Sequence, residues 1–234
     1  MSLLELARQV TVADWLALAW FIVGWWGYAL FARRRARDGG SLLAVTNRYR
    51  RLWMMQMTAR DNRVIDGVVV QNLSTSPSFF ASTAILIVGG LLAALSATEE
   101  AAKIVAEIPF TVRTSALVFD LKLFVLTVVF VYSFFRFTWS MRQYTFGALL
   151  IASAPPPESF ASGEASREAF ADRAGRVVGL AAETFNDGLR AYYMAFAVVL
   201  WFMSPLAFAV STAAIIFLLY QREFRSEVLD VLHH

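Results

Sequence analysis

Four stretches of this chain are apolar for long enough to cross a bilayer, whose hydrocarbon core of about 30 Å takes about 20 helical residues. The first, residues 14–32, reads DWLALAWFIVGWWGYALFA and opens on a T-x-x-D capping box of Thr11 and Asp14. The second, residues 77–97, starts with Ser76 placed as a helix cap and Pro77 at the first helical position. The third covers residues 117–136. The fourth covers residues 191–220, where Pro205 predicts a kink, because a proline inside a helix removes one hydrogen bond and clashes with the preceding turn.

Between the spans the apolar positions fall into a helical period. Leu43, Val45, Tyr49, Leu52, Trp53, Met57, Val64, Ile65 and Val68 recur among arginines, predicting one or two amphipathic helices over residues 41–72. Such a helix lies on anionic headgroups or packs on other helices, and packing is expected here because further helix is available to receive it. The third span runs on as FTWSMRQYTFGALLIASA until Pro155, Pro156 and Pro157 stop it. The pattern resumes near Ala165 and leads into the fourth span. A helix over 165–220 would be about 80 Å long, with Gly175, Gly179 and Gly188 as places for it to break. The charges interleaved along it, Glu164, Glu168, Asp172, Glu183 and Asp187 with Arg167, Arg173, Arg176 and Arg190, read as an ordinary solvated face.

Composition agrees with an all-α, polytopic membrane protein. Of 234 residues, 58% are hydrophobic and 17% charged, with a mean hydropathy of +0.55. Soluble domains run nearer about 45–50% and about 25%. Glu5 offsets Arg8, so the N-terminus lacks the positive excess of a signal peptide, and the RRRAR after the first span reads as stop-transfer in a retained helix. The net charge of +3 reflects topology. Arginines crowd the connection between spans one and two and that between spans three and four, whereas the short loop between spans two and three is acidic on balance. The long connections are therefore expected on the cytoplasmic side of a bacterial inner membrane, with both termini external and no nucleic-acid partner. The predicted order is an external N-terminus with the first span (1–32), a cytoplasmic amphipathic region (33–76), the second span (77–97), a short external loop (98–116), the third span (117–136), a cytoplasmic extension with its Pro-rich turn (137–190), the fourth span (191–220) and an external tail (221–234).

The residue inventory narrows the chemistry. The absence of cysteine excludes disulfides, thiolate nucleophiles, iron–sulfur clusters and Cys-based zinc sites. The only histidines are His233 and His234, which removes interior haem or zinc ligation, Ser–His pairs and histidine proton relays. No cofactor, metal or catalytic residue is expected, and the chain is not expected to be an enzyme.

Polar residues at span depth are the candidates that remain. Asp120 and Lys122 stand two apart in the third span and so point in different directions. Asp120 shares a face with Arg113, Ala116 and Thr127 and is expected to face protein. Lys122 shares one with Val118, Val125, Leu126 and Val129 and is expected to snorkel to headgroups along a lipid face. At the cytoplasmic ends, Gln71, Asn72, Arg136, Ser140, Arg142, Asn186 and Arg190 fall at one predicted depth. They either tie helix ends together or form an anion site or opening. Small residues at four-residue spacing, Gly89, Ala93 and Ala97 beside Gly90 and Ala94, let helices approach closely within the chain or between subunits, as does a weaker stripe of Ala13, Ala17, Gly24 and Gly27.

Three stretches, QNLSTSPSFFASTAIL (71–86), KLFVLTVVFVYSFFRFTWSMRQYTF (122–146) and GLRAYYMAFAVVLWFMSPLAF (188–208), together resemble a family of bacterial and plant integral membrane proteins catalogued as domain of unknown function 599. The resemblance spans nearly the whole chain in order. It implies a multi-span membrane protein and no established activity. From the residues, the leading functional expectation is a homo-oligomeric channel- or transporter-like protein, because four spans leave little room for a path inside one chain. The alternative is a non-enzymatic membrane scaffold that binds a protein partner through its cytoplasmic helices. A lipid-modifying enzyme ranks third, since no paired carboxylates or Asp-rich metal motif are present.

Overall fold

The structure, a computed structural model, describes residues 10–37, 39–107 and 115–233. Glu5, Arg8, Arg113 and His234, named above, lie outside the described residues. Every described element is a helix: α1 (Val12–Arg37), α2 (Leu42–Met57), α3 (Val64–Ser96), α4 (Thr98–Ala106), α5 (Ala116–Ala152), α6 (Pro157–Ala161), α7 (Arg167–Trp201), α8 (Pro205–Phe224) and α9 (Glu227–His233). Four segments are long and apolar enough to cross a membrane: Val12–Ala36, Val64–Ser96, Ala116–Ala152 and Pro205–Leu232. α5 is the most enclosed, with half of its most apolar window buried against 22% for the first segment and 17% for the second.

The chain divides into two compact units. The first comprises Met1–Arg33, Thr83–Ser133 and Leu189–Arg222. Within it α1 turns Asp14, Ala17, Phe21, Tyr28 and Ala32 inward, a three-to-four-residue period. α1 meets α8 closely: a Cβ on Gly24 would stand 2.9 Å from Cδ1 of Ile216. The Phe21 and Phe208 rings are 5.1 Å apart, and Trp201 stacks on Phe208 at 4.7 Å. Ala17 and Gly24 of the α1 stripe thus serve packing inside the chain, whereas Ala13 and Gly27 are exposed. The stripe on α3 does not. Ala84 and Val88 are its buried positions here, while Gly89, Gly90, Ala93 and Ala97 are exposed and Ala94 is half-buried.

The second unit comprises Arg34–Ser82, Phe134–Gly188 and Glu223–His234. α2 is capped by Ser41, whose Oγ accepts from the Ala44 amide at 3.2 Å. Its buried Met54 and Met57 join Val70, Tyr144, Ile151, Phe170 and Val178 in one core, so the amphipathic region packs on helices as expected. The loop after α2 is tied down. Buried Asp66 accepts from Trp53 Nε1 at 2.7 Å and pairs with Arg60, and Arg63 donates to the Ala154 carbonyl at 2.7 Å and to that of Pro155. Arg63 thereby satisfies carbonyls at the α5 end, where Pro155–157 halt the helix.

Three expectations are corrected. Pro77 does not start a helix: α3 begins at Val64 and carries Pro77 inside it, buried. Val70 before it and Ala81 after it are buried, and the proline costs the helix a single hydrogen bond. Conversely, Pro205 does more than kink. α7 ends at Trp201 and α8 starts at Pro205, so the fourth apolar segment begins there and not at residue 191. Finally, α7 runs unbroken through Gly175, Gly179 and Gly188. Those glycines mark close approach instead. A Cβ would meet Cα of Arg51 at 3.0 Å on Gly175, Oδ1 of Asn47 at 3.0 Å on Gly179, and the Phe137 ring at 2.6 Å on Gly188.

Candidate functional site at a helix break

In a continuous helix the carbonyl of Trp201 would accept from the amide of residue 205. That residue is proline and has no N–H. The chain therefore tightens after Trp201: Phe202 N donates to Val199 O at 3.2 Å and Met203 N to Leu200 O at 3.1 Å. Ser204 then caps α8, its Oγ accepting from Ala207 N at 3.0 Å. Trp201 O is left over by the backbone, and Lys122 fills the place, donating from Nζ at 3.0 Å.

Lys122 is 2% exposed. Its Nζ lies over the rings of Trp201 and Phe202, 5.7 and 5.8 Å from their centroids. Phe119 packs edge-on against Phe202 at 5.3 Å. The other end of Trp201 is fixed too: Nε1 donates to Oδ1 of buried Asp14 at 2.7 Å. Thr11 Oγ1 donates to Oδ2 of Asp14 at 2.6 Å and receives the Asp14 amide at 3.2 Å, so the Thr11 half of the predicted capping box forms. One tryptophan thus joins a buried cation and a buried anion through its carbonyl, its ring face and its indole N–H. A hydrogen bond from a charged donor contributes about 1.5–3 kcal/mol, and a desolvated cation–π contact up to about 2 kcal/mol.

This arrangement overturns the role expected for Lys122, while Asp120 meets protein as expected. Lys122 does not snorkel. It is the buried residue, because the break in α7–α8 offers it an acceptor. Asp120 is half-buried, accepting from Thr98 Oγ1 at the start of α4 at 2.7 Å. Thr127 is buried and donates to Leu123 O of its own helix at 2.8 Å. Asp14 and Trp201 were not picked out from the sequence as partners. The available signal was the pairing of Pro205 with the position four residues before it.

The residues expected at one cytoplasmic depth fall in both units. In the second unit Arg136 pairs with Asp187, and Ser140 Oγ donates to Ala181 O at 2.8 Å, both tying α5 to α7. In the first unit Arg190, 7% exposed, lies over the Tyr28 ring at 5.8 Å. Gln71, Asn72 and Arg142 are exposed, and Asn186 is half-buried. A separate network gathers on α2. Arg50 donates to Thr46 Oγ1 at 3.0 Å and Asn47 Oδ1 at 2.8 Å, while Asn47 Nδ2 donates to Glu183 Oε1 at 3.2 Å. Burial pulls the Arg50 pKa below its ordinary value, opposed by Tyr144 and Glu183. Among the described residues no group of His, Cys, Asp and Glu is placed to hold a metal ion.

Residues 16–228 match the family model described as "Protein of unknown function, DUF599". No curated protein and no solved structure matches the chain. The match covers nearly the whole sequence, breaks and spans included, and the chain belongs to the DUF599 family.

Proposed function

We propose that the protein is a transporter-like, non-enzymatic membrane protein that works through its interrupted helix. One observation carries the reading: Lys122, almost wholly buried, holds the carbonyl that the α7–α8 break leaves free. Ionisable groups enclosed within membrane helices are expensive and mark ion or substrate pathways. Discontinuous helices expose carbonyls where such pathways are built. The protein sits in the bacterial inner membrane with its arginine-rich connections cytoplasmic and its termini external, as the arginine distribution supports. It acts as a homo-oligomer, with the exposed small residues of α3 in the subunit contact. The test is flux in proteoliposomes across cations, anions and organic solutes, with Lys122→Met beside wild type and Asp120→Asn as a second intramembrane variant. Solute movement above protein-free vesicles, reduced at least tenfold in Lys122→Met, is expected. Silence across the panel would overturn the reading.

A second reading has its own observation. Val64, Ile65 and Val68 of α3 are 69%, 72% and 52% exposed in the second unit, a row that fits a scaffold's protein partner. A stoichiometric protein that copurifies with wild type and is lost in Ile65→Glu would favour it.

A further inference from the structure

The surroundings of Lys122 have the composition of a receptor for an ammonium group. Trp201 O is a helix-terminal carbonyl with no backbone donor, aimed at Nζ. The Trp201 and Phe202 rings present their faces to the same nitrogen. The carboxylate of Asp14 is linked to the cluster through the Trp201 indole. A carbonyl, two aromatic faces and a carboxylate behind them select a compact organic cation. They suit a metal ion poorly, since hard cations take several oxygen ligands and no group of carboxylates stands there among the described residues. The acceptor of Nζ is also neutral, so exchange of Lys122 for another ammonium conserves the hydrogen bond and the ring contacts without breaking an ion pair.

We propose that this is a binding site for small primary ammonium compounds, occupied at rest by the protein's own Lys122, and that such amines are the substrate class of the transport proposed above. The inference rests on that reading for transport, while the binding site stands or falls separately. Lys122 acts as an internal ligand. A substrate amine takes its place against Trp201 O and the Trp201 and Phe202 rings, and the lysine returns when the amine leaves.

Two measurements test this. Lys122→Ala removes Cγ, Cδ, Cε and Nζ, the atoms of n-propylammonium. In detergent, n-propylammonium chloride should raise the Tm of Lys122→Ala by about 2–4 °C more than it raises that of wild type. Neither 1-propanol nor sodium chloride at the same concentration should do so. An equal response in the two proteins, or an equal response to 1-propanol, overturns the ammonium site. Should Lys122→Ala fail to fold, the wild-type protein carries the test. Its proteoliposomes should take up labelled methylammonium saturably, with KM raised about tenfold in Phe202→Leu. Uptake of other solutes without methylammonium overturns the substrate class and leaves the transport reading standing. Uptake of nothing overturns the transport reading; the Tm comparison then decides the site where Lys122→Ala folds, and where it does not, the site falls with the transport reading.

Discussion

Lys122 donates to the carbonyl of Trp201, the acceptor that Pro205 cannot serve. A side chain from α5 thus stands in for a backbone amide missing from α8. Lys122→Met keeps the bulk of the stem and removes the donor, leaving a buried carbonyl unsatisfied at about 1–3 kcal/mol. Pro205→Ala returns an N–H to the position four residues after Trp201. In a double-mutant cycle, the cost of Lys122→Met is expected to fall by at least about 1 kcal/mol in the Pro205→Ala background. Denaturant unfolding of the four proteins measures it. Additive costs would show that lysine and proline do not share this carbonyl.

Asp14 offers a graded comparison. Asn at that position keeps an oxygen for Trp201 Nε1, whereas Ala leaves the buried indole N–H without its acceptor. Asp14→Ala is expected to lower stability by about 1–3 kcal/mol more than Asp14→Asn does. Equal losses would mean that the negative charge, and not the hydrogen bond, is what the fold requires.

A glycine of α3 and one of α7 separate helix propensity from packing. Alanine at Gly67, where nothing lies within 4 Å of an added Cβ, is expected to stabilise α3 by about 0.5–1 kcal/mol. At Gly175 the added carbon meets backbone of α2 at 3.0 Å, and backbone cannot swing aside as a side-chain end does. Gly175→Ala should therefore destabilise by about 1–3 kcal/mol despite the same gain in propensity. Thermal unfolding of the two variants, compared in sign, checks this.

Much of the fold was legible because it depends on local pattern. All four apolar runs reappear as membrane-length segments, the fourth starting later at Pro205, Thr11 caps α1, and Pro155–157 end α5. What was not legible depends on partners distant in sequence. Pro77 follows the polar run Ser74-Thr75-Ser76 and Pro205 a mostly apolar one, yet the first lies inside a helix and the second starts one. Asp120 and Lys122 were told apart by the company each keeps on its own helix, but the α7–α8 break, far along the chain, decided which is buried. Gly175, Gly179 and Gly188 look like breaks in one dimension and prove to be contacts in three. Arg136 and Ser140 were read as possible helix ties and do tie α5 to α7.

The exposed stripe of α3 gives the subunit contact a direct test, helped by the absence of cysteine from the chain. Ala93→Cys puts a single thiol on the outward small-residue face, and Ala84→Cys puts one at a position 0% exposed within the same unit. Two copies packed through Gly89, Gly90 and Ala93 bring their backbones close, as small residues allow. Ala93→Cys should then form a disulfide-linked dimer in membranes under mild oxidant, while Ala84→Cys stays monomeric. Leu30→Cys on α1, at a site 51% exposed, controls for random collision in the bilayer. Cross-linking of Ala93→Cys several-fold faster than Leu30→Cys is the expected result. Equal rates would remove α3 as the contact and, with it, the case for a homo-oligomer built on that helix.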